Sequence, residues 1–130
     1  MTCRVVRPGA AYEGKQGLTY LQGLTGETAG SQRISMTLVT LPDGARARTH
    51  LHEDIETAIY VIGGRAEMFF GPGLEEHLEA EEGDFVYIPA NIPHQVMNRS
   101  GAEVTALIAH TSADDQDGIV LLPELDSIIS

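Results

Sequence analysis

Short runs of β-forming residues, separated by glycine, proline and other turn-forming residues, dominate this sequence. The runs are four to eight residues long, which is the usual length of strands, and we find no convincing helical periodicity over ten or more residues. Such regular punctuation predicts an all-β sandwich or barrel. The predicted strands are Tyr20–Leu24, Ile34–Leu41, Ala47–His52, Glu56–Ile62, Ala66–Phe70, Phe85–Ile88, His94–Asn98 and Val104–His110.

Length and charge limit the class of protein. The 130 residues suffice for one domain with its own core, predicted to span residues 1–130. A formal net charge of −11 argues against nucleic acid and anionic membrane as partners. One cysteine, Cys3, allows no internal disulfide, and no run has the length of a signal peptide or membrane span. We therefore expect a cytoplasmic protein.

The histidines are the most informative residues for function. His50 and His52 are two positions apart, so that on a strand both side chains point to the same face. Glu56 joins that face if the alternation of side chains continues through the intervening residues, and His94 on a later strand can add a fourth ligand if a barrel brings the strands together. Imidazoles with a carboxylate suit divalent Fe, Mn, Ni, Cu, Co or Zn.

The glycines around these residues complete two longer patterns. In the first, Gly44 is followed by five residues, His50-x-His52, three residues, Glu56, six residues and Gly63. In the second, Gly83 is followed by five residues, Pro89-x-Asn91-x-x-His94, three residues and Asn98. These patterns, which span residues 44–98, resemble the two signatures of the cupin superfamily. The family usually has Gly where this chain has Asn91, and Asn takes left-handed backbone conformations more readily than other non-glycine residues.

The resemblance implies a fold and a metal site. It implies a small, single-domain antiparallel β-barrel of the jelly-roll type, also called a double-stranded β-helix. One divalent transition-metal ion would lie inside the barrel, with His50, His52, Glu56 and His94 as its ligands.

Such a site supports several functions. Three neutral imidazoles and one carboxylate leave a divalent ion with a charge of about +1 and one or two open positions. The favoured interpretation is a dioxygenase-type oxygenase acting on a small oxygen-chelating substrate such as a diketone, an enol or a catechol-like acid. The alternatives are a non-redox lyase, isomerase, cyclase or decarboxylase, and a non-catalytic small-molecule binding module.

Two further residues are candidates for catalysis. Arg48 has the same parity as His50 and could bind a substrate carboxylate, although a turn near Ala45 would place it on the surface instead. Tyr60 has the same parity as Glu56 and is either a proton donor in the pocket or an ordinary core tyrosine. By contrast, His77 and His110 are expected to be solvated.

The remaining predictions concern packing. Four apolar residues are expected to lie in the core or line the pocket: Met36, Leu38, Phe70 and Phe85. The charged segment Glu75–Glu82 is expected to be a hairpin turn rather than a short solvated helix. The tail, residues 113–130, is expected to pack across a neighbouring surface or another subunit rather than join the main sheet. Uncovered sheet edges and the apolar run Ile119–Leu122 predict a homodimer.

Overall fold

The computed structural model describes residues 2–130, and strands dominate it. Two short helices complete the secondary structure of this range, α1 (Gly26–Ala29) and a 3-10 turn (Pro123–Leu125). No helix within residues 2–130 has the length and apolar character needed to cross a membrane. The strands are β1 (Tyr12–Glu13), β2 (Thr19–Leu24), β3 (Ser35–Leu41), β4 (His50–His52), β5 (Thr57–Gly63), β6 (Arg65–Phe70), β7 (Glu76–Glu81), β8 (Phe85–Ile88), β9 (His94–Met97), β10 (Val104–His110) and β11 (Ile119–Leu121).

The strands form two antiparallel sheets. One sheet has six strands in the order β1-β2-β3-β10-β5-β8, and the other has five in the order β11-β4-β9-β6-β7. The chain crosses between the sheets repeatedly from β3 onward, so that strands distant in sequence become neighbours. This arrangement confirms the predicted all-β jelly-roll barrel.

The core lies between the two sheets and follows the alternation of side chains along each strand. Strand β3 lies between β2 and β10. Its buried residues Val39 and Leu41 point inward, while Leu38 points outward. A cluster of buried apolar side chains lies in this core: Leu18, Tyr20, Val39, Leu41, Ala47, Val104 and Ala106.

The alternation also corrects part of the predicted core. Met36 is 38% exposed and Phe85 is 83% exposed, and both lie with half-buried Leu38 on the outer face of the six-stranded sheet. Phe70 is half-buried. Hydrophobicity shows that a strand residue can be buried, but it does not show which face of the sheet is covered.

The tail joins a sheet, contrary to the prediction. Strand β11 pairs with β4, opposing Ile119 to His52 and Leu121 to His50. The pairing continues on both sides, where Glu53 N donates to Gly118 O at 2.7 Å and Leu122 N donates to Thr49 O at 2.9 Å. The strand that carries the two histidines therefore has a covered edge.

The charged segment Glu75–Glu82 forms a strand, β7 (Glu76–Glu81), and not the hairpin turn that was predicted for it. Strand β7 pairs with β6 along its whole length, from Arg65 opposite Glu81 to Phe70 opposite Glu76. A turn at residues 71–74 joins the two strands, with Leu74 N donating to Gly71 O at 3.1 Å.

Candidate metal centre

Three histidines from two strands meet inside the barrel. His50 and His52 on β4 and His94 on β9 are all buried, and the register places His50 directly opposite His94. The ring centroids are 4.3 Å apart for His50 and His94, 5.0 Å for His50 and His52, and 5.5 Å for His52 and His94. One nitrogen of each ring lies within 4.8 Å of the others, close enough to share a single ion.

Hydrogen bonds to the backbone fix the orientation of two of these rings. The Nδ1 of His50 lies 2.7 Å from Arg48 O, and the Nδ1 of His94 lies 3.0 Å from Ile92 O. A carbonyl oxygen can only accept, so each Nδ1 carries the hydrogen and each Nε2 keeps a free lone pair. Metal-binding histidines in proteins are oriented by outer hydrogen bonds of this kind.

The third ring leaves a buried polar atom without a partner. Within the described residues, His52 Nδ1 is buried and makes no hydrogen bond. Such a group costs free energy unless something satisfies it. The donor set and the unsatisfied nitrogen together fit a divalent transition metal, which prefers imidazole nitrogens of this type.

The electrostatics of the cluster keep the rings neutral. Burial, reinforced by the neighbouring imidazoles, lowers the pKa of His52 to about 3 and holds the pKa of His50 well below its ordinary value. Burial also lowers the pKa of His94. Neutral imidazole is the form that binds metal, so near pH 7 the site needs no prior loss of a proton.

Asn91, in the loop that precedes β9, is hydrogen-bonded to the end of β4 and to the turn that follows it. It has a φ of +67°, the left-handed conformation expected at this position. Its backbone N donates to His52 O at 2.9 Å, and its Oδ1 accepts from Asp54 N at 3.0 Å. A glycine could adopt this backbone conformation, but it could not make the side-chain bond that holds the end of β4.

Glu56 does not lie with the histidines. It is exposed, and its Oε1 accepts a hydrogen bond from the Tyr87 hydroxyl at 2.5 Å. The alternation that was expected to carry Glu56 inward is interrupted between β4 and β5, where Asp54 has a φ of +58°. The residue that points into the barrel is instead Thr57. Metal binding by all four predicted ligands stays a prediction, and the structure brings three of them together.

The two candidates for catalysis lie outside the pocket. Tyr60 is 37% exposed on the outer face of β5, where it packs against Phe85 with ring centroids 4.9 Å apart. Arg48 is exposed and donates to Lys15 O at 3.2 Å. The residues between Ala47 and β4 are not in a regular strand, because Arg48 N bonds to Gln16 O, so parity with His50 does not hold. The placement of Tyr60 corrects the sequence-based prediction, and Arg48 takes the surface position that the sequence left open as the alternative to substrate binding.

A fourth histidine, His110, was expected to be solvated and is buried beside the cluster. Its ring centroid lies 4.8 Å from that of His52, and its Nδ1 lies 2.9 Å from Thr57 Oγ1. Burial, followed by the effect of His94, lowers the pKa of His110 to about 4. The signal was present in the sequence, because Val104, Ala106, Ile108 and His110 alternate along one strand and share its inner face. His77, by contrast, is exposed on the outer hairpin, as predicted.

The cavity around the histidines is mainly apolar. Both sheets contribute to its walls, and the four histidines with Thr57 and Gln16 supply most of its polar groups. Glu67 also borders it, but Arg99 engages both of its carboxylate oxygens at 2.7 and 2.8 Å. Apolar walls limit water and strengthen polar interactions within the cavity. Among the apolar wall residues are Leu18, Val39, Val61, Met68, Ile88 and Ile108.

Fold and site together define a small antiparallel β-barrel protein with a histidine cluster in its interior. The cupin domain family model matches residues 37–110, which include all three clustered histidines, and the chain belongs to this family. No curated protein matches the chain.

Solved structures with the same fold are numerous and distant in sequence. Oxalate decarboxylase from Lactobacillus farciminis, in a formate complex, is 18% identical, with a TM-score of 0.71 over 90% of this chain and 33% of its own. Oxalate decarboxylase from Bacillus subtilis, in a structure at pH 4.6, is 23% identical, with a TM-score of 0.71 over 88% and 30%. The chain thus spans about a third of these decarboxylases.

A third structure matches over similar lengths of both chains. An uncharacterized conserved protein with a double-stranded beta-helix domain from Klebsiella pneumoniae is 19% identical, with a TM-score of 0.65 over 89% of each chain. At these identities the comparisons show the double-stranded β-helix fold.

Proposed function

We propose that this chain binds one divalent transition-metal ion through His50, His52 and His94 and acts as an oxygenase on a small oxygen-chelating compound. The observation that carries the proposal is the meeting of three neutral imidazoles, two of them with an oriented free Nε2, in an apolar cavity. The bound ion would supply redox chemistry when it is Fe(II), or Lewis-acid chemistry when it is redox-inert.

The charge of the proposed site favours an anionic oxygen donor as its ligand. Three neutral imidazoles leave the full charge of a divalent ion uncompensated, because Glu56 lies outside the cluster. Three protein ligands also leave a six-coordinate ion with three further positions. That number suffices for a bidentate enolate, diketonate or catecholate and one additional small molecule such as O2.

The chain's own residues would hold the organic part of such a substrate. The apolar walls favour a compact carbon skeleton and restrict the access of water. His110 and Thr57 form a hydrogen-bonded polar pair next to His52, within reach of a group bound beside the cluster. We assign this pair the role of positioning a substrate oxygen through a hydrogen bond.

A second candidate function is non-redox lyase or decarboxylase chemistry. It is supported by the same uncompensated charge, which would stabilise an enolate, and by the likeness in fold to oxalate decarboxylases. Mn(II) centres are described for the Bacillus subtilis oxalate decarboxylase. A non-catalytic small-molecule binding module would use the same metal and cavity without turnover.

One set of measurements separates these functions. Protein purified anaerobically without added metal is analysed for metal content, then reconstituted in parallel with Fe(II), Mn(II) and Zn(II). Each form is placed in an oxygen electrode with diketones, enols and catechol-like acids, and CO2 release is measured with small dicarboxylates. We expect stoichiometric metal and substrate-dependent O2 uptake by the Fe(II) form.

The controls define what would overturn the proposal. His50→Ala and His94→Ala should lose metal and O2 uptake together. CO2 release without O2 consumption would support the lyase function instead. Metal-loaded protein that binds these compounds without converting them would support the binding module, and failure to bind metal at all would refute the site.

A further inference from the structure

The outer face of the six-stranded sheet carries two complete rows of apolar residues. Each row crosses five adjacent strands, from β2 to β8, through directly paired positions. All ten side chains are uncharged, although the chain has a net charge of −11. The first row is Leu21, Leu38, Leu107, Tyr60 and Phe85, and the second is Leu24, Met36, Ala109, Ala58 and Tyr87. We call these ten residues the apolar face.

The five-stranded sheet differs, because the C-terminal segment is hydrogen-bonded to it. There the C-terminal segment packs close, with Arg46 Nη1 donating to Ile129 O at 2.8 Å and Thr49 N donating to Asp126 Oδ1 at 2.7 Å. Gln95 and Met97, on the outward side of β9, are fully buried. On the apolar face, Phe85 and Tyr87 are 83% and 58% exposed.

We propose that the apolar face is the docking surface for a second copy of this chain. The size of the surface supports this occupant. An aromatic side chain offers about 200 Å², so the exposed parts of Phe85, Tyr87 and Tyr60 amount to about 350 Å². A standard interface takes about 800 Å² from each partner, and the aliphatic residues of both rows add to the aromatic area.

The charge distribution also favours a second copy over an unrelated partner. Two chains of −11 repel each other, and close approach costs least where both surfaces are uncharged. The ten residues carry no carboxylate, and the neighbouring Glu56 carboxylate already accepts a hydrogen bond from Tyr87, so a basic partner would gain little from this face. Two sheets packed face to face about a twofold axis bring the same apolar rows together, as in a β-sandwich.

This proposal is independent of the proposed metal chemistry and relocates the predicted dimer contact. From the sequence, the contact was expected at sheet edges and at Ile119–Leu122. In the structure β11 is paired with β4, so the proposed contact surface is the broad face rather than the tail.

The test is the oligomeric state of the full chain by sedimentation velocity at micromolar concentrations. The variants are Phe85→Glu and Ala58→Arg, which place a charge on the apolar face at exposed positions and leave the core intact. The matched control is Val120→Glu, an exposed apolar position on β11. Circular dichroism verifies that each variant is folded.

We expect a dimeric wild type, a dimeric Val120→Glu variant and monomeric face variants. Each face substitution enters a symmetric interface twice, so the dimer dissociation constant should rise at least about 100-fold. If Phe85→Glu does not fold, Ala58→Arg alone decides the outcome. A monomeric wild type, face variants that remain dimeric, or loss of the dimer only in Val120→Glu would overturn the proposal.

Discussion

The two faces of the six-stranded sheet are built from the same strands and are both largely apolar, yet they have different roles. The inner face is closed by the second sheet and carries Thr57 and His110 beside the histidine cluster. The outer face is exposed and carries Tyr60. The alternation of side chains along a strand shows which residues share a face of the sheet. Only the tertiary structure decides which of the two faces lines the histidine site.

The largest difference between the faces should appear in metal binding. We expect His50→Ala or His94→Ala to lower metal affinity by at least about 100-fold, because each removes one of three nitrogen ligands. Tyr60→Phe, on the outer face, should retain stoichiometric metal. Elemental analysis after dialysis measures all three variants, and stoichiometric metal in both histidine variants would show that the site is wrongly assigned.

Stability offers a matched pair of substitutions within one strand. Leu41→Ala, at a fully buried inner position of β3, should lower the free energy of unfolding by about 3 kcal/mol through lost burial and a cavity. Leu38→Ala, at a half-buried outer position, should cost about 1 kcal/mol. Urea unfolding at low protein concentration measures both, and equal losses would contradict the assignment of the faces.

The buried imidazoles should make the metal-free protein sensitive to acid. Their pKa values are lowered in the folded state, to about 3 for His52 and about 4 for His110, so the unfolded chain binds more protons below pH 6.5. Stability is therefore complete above pH 6.5 and falls as the pH drops toward these folded-state values. Each imidazole that stays neutral in the folded state at pH 5, while it is protonated in the unfolded chain, lowers the free energy of unfolding by about 2 kcal/mol relative to pH 7.5.

Chelator-treated protein unfolded in urea at pH 7.5 and pH 5.0 provides this measurement. The hydrogen bond with Arg99 lowers the pKa of Glu67 to about 2. The stability that this carboxylate contributes is therefore lost at a lower pH than that of the imidazoles, between the ordinary pKa of a glutamate and about 2. A curve that is flat from pH 7.5 to 5.0 and falls only below pH 4.5 would assign the acid sensitivity to carboxylates rather than to the inner face.

The smallest effect is expected for Glu56, the predicted ligand that lies outside the cluster. Glu56→Gln should change metal affinity less than about twofold, since the side chain bonds to Tyr87 rather than pointing inward. His52→Gln provides the comparison, with a large loss. A loss of metal in Glu56→Gln as large as that in His52→Gln would restore the four-ligand site inferred from the sequence.

The sequence predicts correctly which residues share a face when they lie in one regular strand, and it fails when a turn lies between them. His50 and His52 share a face because β4 is continuous between them, and the resemblance to the cupin signatures supplied His94 from a distant strand. Glu56 follows a turn with a positive φ at Asp54, and no count of residues shows how such a turn resets the alternation. Tyr60 was misplaced by the same error, because its assignment depended on the parity of Glu56.

The strands that carry the three clustered histidines are paired with each other at a single position, His50 opposite His94. An ion held by both strands would therefore cross-link segments that are far apart along the chain, at a junction that backbone hydrogen bonds from Ala47 N to Val96 O and from Asn91 N to His52 O already hold on either side. Its binding free energy would add directly to the stability of the folded state. Amide exchange should consequently slow on metal loading along this junction more than at the opposite end of the barrel.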